Sequence, residues 1–107
     1  MAENVIIKGR DNRVDIPFSF SGPFAASGLN TFTEVTLEIG GDSYSTTDNP
    51  TQLIIVDDNT LSLRIGDSTE LADGLYLPEI VGFSATYDDG YLISGQCKPI
   101  IGTIRVC

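Results

Sequence analysis

The sequence predicts an all-β fold, an antiparallel sandwich of about 7–8 strands. Apolar and polar residues alternate in segment after segment, turn-forming residues separate those segments at short intervals, and no window carries a helical period. Period-two alternation marks strands with one face in the core and one in water.

A first short strand is expected over residues 5–8. Residues 13–20 place Val14, Ile16, Phe18 and Phe20 on one face and Asp15, Pro17 and Ser19 on the other. Residues 21–30, rich in Gly, Ser and Ala, read as a long connection. In residues 33–39, Val35, Leu37 and Ile39 point inward against Glu34, Thr36 and Glu38. Gly40-Gly41 then predicts a two-residue hairpin into a short strand at Tyr44, since paired glycines supply the positive φ angles of such turns. Asp57-Asp58-Asn59 supplies the loop between strands over residues 53–56 and 61–65; the latter sets Leu61, Leu63 and Ile65 against Ser62 and Arg64. Residues 76–87 do not give one clean alternation. Leu77, Val81, Phe83 and Ala85 share a face that Glu79 interrupts, and Pro78 and Gly82 point to a bulge or edge that resets the register. Asp88-Asp89-Gly90 leads to a strand over 91–94, and a last strand is expected over 100–106.

The 107 residues are the size of one domain, residues 1–107, with a hydrophobic share of 41%, which suits a packed core. The longest aliphatic run, Leu53-Ile54-Ile55-Val56, is far below the ~20 residues of a spanning helix, so no membrane partner is expected. Fifteen carboxylates against six Lys and Arg give a net charge of −9. That balance argues against nucleic acid, whose binding is driven by cations that displace counterions. The Met-Ala-Glu-Asn start has no basic region or apolar core of a secretory signal, which predicts synthesis in a cytoplasm.

Catalytic chemistry is not expected. With no His in the chain, a hydrolytic triad lacks its usual base and common zinc sites lack a ligand. Cys97 and Cys107 lie outside any CxxC, and a cytoplasmic origin favours free thiols over a bridge. Asp57, Asp58, Asn59, Asp67, Glu70, Asp73, Asp88 and Asp89 all fall in expected loops, where hard cations find oxygen ligands. Asx turns account for the same enrichment, so no cofactor is expected and loop calcium is the alternative. Tyr87 and Tyr91 flank Asp88-Asp89-Gly90; the four residues Tyr87, Asp88, Asp89 and Tyr91 form a candidate partner-contact loop, with ring pairing inside the hairpin as the simpler role.

Leu71-Ala72-Asp73-Gly74-Leu75-Tyr76 is the most informative stretch. Its Leu-x-x-Gly-x-Tyr spacing, with Leu71, Gly74 and Tyr76, resembles the tyrosine corner of immunoglobulin-like sandwiches, in which the Tyr hydroxyl bonds upstream main chain. The chain departs from the antibody pattern: no Cys follows Tyr76 by two residues and there is no Trp. Leu61-Ser62-Leu63-Arg64-Ile65-Gly66, the corner, and Val81-Gly82-Phe83-Ser84-Ala85-Thr86-Tyr87-Asp88 together resemble small immunoglobulin-like structural proteins of tailed bacteriophages, over about a third of the chain. The resemblance implies a non-enzymatic virion protein made in the host cytoplasm, multicopy or homo-oligomeric in assembly. Its partners would be capsid or tail proteins. A capsid decoration docked outside the particle is the expected role, with a head–tail connector, tail or baseplate module as one alternative. A carbohydrate- or ligand-binding module is the alternative of another class.

Overall fold

The computed structural model describes residues 4–20, 22–65, 71–95, 97 and 103–107. Among them are ten strand segments: β1 (Asn4–Ile6), β2 (Asn12–Pro17), β3 (Glu34–Ile39), β4 (Asp42–Ser45), β5 (Leu53–Asp57), β6 (Thr60–Ile65), β7 (Gly74–Tyr76), β8 (Glu79–Phe83), β9 (Tyr91–Ser94) and β10 (Ile104–Val106). The fold is all-β, with its sheets arranged as a sandwich. One sheet has the order β2-β6-β5, the second β4-β3-β8-β9, and β1-β10-β7 forms a third three-stranded ladder.

Ten segments stand where 7–8 strands are expected, in part because the segment expected over 76–87 is divided. β7 and β8 are separated only by Leu77-Pro78, and Pro78 has no N–H to offer a ladder. Tyr76 pairs with Ile104 and Ile80 with Ser94, so a four-residue step from β7 to β8 faces a ten-residue step from β9 to β10. The segment expected over 76–87 ends at Phe83, with Ile80 and Gly82 buried on the inner face and Glu79, Val81 and Phe83 on the outer. One further correction concerns strand direction: β1 runs parallel to β10, Asn4 opposite Ile104 and Ile6 opposite Val106, whereas the other pairs among the described residues are antiparallel. The first strand also ends at Ile6 rather than residue 8, the second at Pro17 rather than 20, and the last begins at Ile104; residues 100–102 of its expected span lie outside the described residues.

A single core lies between the layers. Val14, Ile16, Leu53, Leu61, Leu63 and Ile65 from one sheet meet Val35, Leu37, Ile39, Ile80 and Ile93 from the other, and Ile6, Ile104 and Val106 close one side. Each such side chain, fully buried, contributes about 1.5–3 kcal/mol. The connection after β2 is not a bare loop. It forms two 3-10 turns, Gly22–Phe24 and Gly28–Thr31, and lays Phe24 and Leu29 into the core. Gly28 is required there: at φ +52°, its chain passes so close to the Asp58 carbonyl that a Cβ would sit 2.1 Å from the oxygen.

Candidate docking surfaces

The corner residues are structural. Leu71 is buried, Gly74 opens β7, and the half-buried Tyr76 donates its hydroxyl to the Ala72 carbonyl at 2.7 Å, four residues upstream. The β3–β4 hairpin seats against them. A Cβ on Gly40 (φ +56°) would stand 2.6 Å from Leu71 Cδ2 and 2.8 Å from the Tyr76 ring, so this approach needs glycine. Asp73 pairs with Lys8 Nζ at 2.6 Å. Beside the corner opens a cleft of about 480 Å³ whose lining includes Glu38, Glu79, Leu75, Leu77, Tyr76 and Cys97.

In the connection from β8 to β9, the 87–91 turn directs its rings inward. Tyr87 and Tyr91 meet edge to face with centroids 5.4 Å apart, and both contact Phe24 and Phe32 at 4.8–6.1 Å. Phe18 and Phe20 extend the same aromatic stack. Of the four residues expected to form a contact loop, Asp88 and Asp89 are exposed and Tyr87 and Tyr91 are half buried.

The acidic loop residues are separated rather than convergent. Asp57 accepts a hydrogen bond from the Asn59 N–H, Asp58 accepts one from the Asn30 amide, and Asp73 holds Lys8. Asp67 and Glu70 lie outside the described residues. Among the described residues no three His, Cys, Asp or Glu side chains come together as a metal site. Cys97 and Cys107 are both free and exposed.

The outer faces of the two main sheets carry the remaining polar chemistry. On β2-β6-β5, Ser62 is buried although its alternation points it toward solvent. Asp15 lies directly opposite it and Arg13 directly opposite Arg64. Arg64 Nε donates to the Ser62 oxygen at 3.2 Å and Arg13 Nε to Asp15 at 3.1 Å. The Ser62 hydroxyl, and after it the Arg13 guanidinium, holds the Asp15 carboxyl below its ordinary range.

On β4-β3-β8-β9 the outward side chains include Glu34, Thr36, Glu38, Glu79, Val81, Phe83 and Leu92. Glu34 accepts a bond from the Ser45 hydroxyl, and Thr36 lies against the Val81 carbonyl. Glu38 and Glu79 are exposed and directly opposite each other. At this sheet's edge Tyr44 is half buried, and desolvation, with a smaller contribution from Asp42, pushes its phenol up.

Sequence reasoning marked Glu38 as outward but did not find the Glu38–Glu79 pair or the Arg13–Asp15–Ser62–Arg64 group. Both are cross-strand relations, and only the register creates them. No known family model matches the chain, and no curated protein matches it.

Proposed function

We propose that this chain is a non-enzymatic docking domain, a structural protein of a bacteriophage virion that decorates the outside of the capsid. The observation that supports it most is the way its polar groups are distributed. The loop acids 57, 58 and 73 and the corner tyrosine are each held in a local structural bond, while the outward face of the four-stranded sheet presents charged and apolar groups together. A domain of that kind acts through surface contact, and many copies on a symmetric particle turn a weak contact into a stable one. The resemblance of residues 61–94 to phage immunoglobulin-like proteins supplies the particle. The net charge of −9 favours an exterior position, because like charge repels packaged DNA.

The test mixes the purified protein with undecorated capsids of the phage that encodes it, pellets them and counts copies per particle. Saturable binding at a stoichiometry set by capsid symmetry is the expected result. Binding to isolated tails alone moves the protein to the tail or baseplate, and binding to neither removes the virion reading. The cleft beside the corner favours a second reading, a ligand-binding module, since about 480 Å³ falls in the range of small-ligand sites.

A further inference from the structure

We infer that the outward face of the four-stranded sheet is a docking face for a cationic segment of a protein partner, with a basic side chain of that partner seated between Glu38 and Glu79. Charge is segregated across the molecule. Residues 34–48 and 79–95, which build this sheet and its connections, carry seven carboxylates and no Lys or Arg. The five Lys and Arg among the described residues, Lys8, Arg10, Arg13, Arg64 and Arg105, all belong to β2, β6, β10 or the turn after β1.

Within the acidic sheet, Glu38 and Glu79 face each other in register on adjacent strands. Like charges placed directly opposite destabilise a ladder, and among the described residues neither carboxylate is in an ion pair. A cation brought from outside removes that repulsion and gains two charge-assisted contacts. Apolar surface lies beside the pair: Val81 and Leu92 are opposite one another on the same face, half buried and outside the core cluster. Leu75, 57% exposed, continues the apolar surface into the cleft that Glu38 and Glu79 line. The matching occupant is therefore a basic residue flanked by apolar ones. Nucleic acid is repelled, and a second copy of this chain brings its own net charge of −9.

The inference rests on the docking reading above and names the partner's chemistry. Its test titrates the full, isotope-labelled chain with the peptide acetyl-Leu-Arg-Leu-Arg-Leu-amide and follows backbone amide shifts, with acetyl-Leu-Glu-Leu-Glu-Leu-amide as control. The expected result is saturable shifts at Thr36, Glu38, Glu79, Val81 and Leu92. The affinity should fall by at least about fivefold in the Glu38→Gln/Glu79→Gln variant and weaken in about 0.5 M salt, with no response to the control. Shifts spread evenly over Asp57, Asp58, Asp88 and Asp89, or an unchanged affinity in the double variant, would overturn it.

Glu79→Gln alone should raise the thermal midpoint of the free chain by relieving the repulsion. A lowered midpoint would show that the carboxylate already holds a cation of its own chain and would also sink the proposal. Concentration-dependent dimers of the chain alone, with interface shifts on this same sheet, would assign the face to a second copy instead. Peptide binding without capsid binding keeps this face and removes the virion reading. Capsid binding indifferent to Glu38→Gln/Glu79→Gln keeps the virion reading and removes this face.

Discussion

The two main sheets of this sandwich share one core but treat charge on their outer faces in opposite ways. On β2-β6-β5, the cross-strand neighbours Arg13, Asp15, Ser62 and Arg64 satisfy one another, and the buried Ser62 hydroxyl links the carboxylate of Asp15 to the guanidinium of Arg64. On β4-β3-β8-β9, Glu38 meets Glu79 across the ladder with no cation of the described residues beside them. The first face is closed by hydrogen bonds: although Arg13 stands opposite Arg64, each guanidinium has an acceptor within the group, and these bonds contribute to the domain's own stability. The second sets like charges opposite each other with no cation among the described residues to offset them, and on the docking reading a partner would supply that cation.

The largest expected effect tests the shared core beneath both faces. A Cβ on Gly82, in the centre of the four-stranded sheet, would stand 2.5 Å from the Phe32 ring. Gly82→Ala should therefore overpack the site and destabilise by roughly 1–3 kcal/mol, read as a lower urea midpoint at unchanged slope. A neutral result would show that the aromatic stack under this sheet is loose. The outer faces would then not be held rigidly relative to one another.

Next in size is the closed face itself. Ser62→Ala removes a buried hydroxyl that bonds both Asp15 and Arg64, and should lower stability by about 1 kcal/mol. This change is opposite in sign to the stabilisation expected of Glu79→Gln on the other sheet. The same sign for both substitutions would erase the distinction between the faces.

The smallest effect is pH-dependent. The Asp15 carboxyl is depressed in the folded state, so its stabilisation is present above the unfolded-state value of about 3.9 and is lost as pH falls through the lower folded value. Asp15 is nearly half exposed, and solvent screening limits this contribution to a few tenths of a kcal/mol. Asp15→Asn should accordingly lose that amount at pH 7 and match the parent near pH 2, as measured by urea unfolding at the two pH values. A difference that persists unchanged at low pH would assign the role of Asp15 to packing.

Much of the fold was legible in the residues because alternation is a local property. Val14 and Ile16, then Val35, Leu37 and Ile39, then Leu61, Leu63 and Ile65 all point into the core as their spacing predicts. Gly40-Gly41 makes the two-residue turn that joins Ile39 to Asp42, with φ angles of +56° and +97°. The site was less legible. Tyr87 and Tyr91 pair with each other across their turn, the simpler of the two roles their spacing offers, but no local pattern shows that their rings also pack on Phe24 and Phe32, which come from a connection more than 50 residues earlier. Ser62 reads as a solvent-facing serine, yet it is buried, with Asp15 opposite it on β2 and Ile54 opposite it on β5.

The sequence alone determined where most strand segments lie, the inward faces of the alternating ones, the turns and the acidic balance, because each follows from side-chain types a few residues apart. Tertiary structure alone decided which strands became neighbours and in what register. Register placed Asp15 over Ser62 and set Glu38 against Glu79, and these pairings distinguish a closed face from an open one. Strand neighbours are chosen by how both sheets cover a single core, so the arrangement of outward-facing charges is a consequence of packing that no local pattern records.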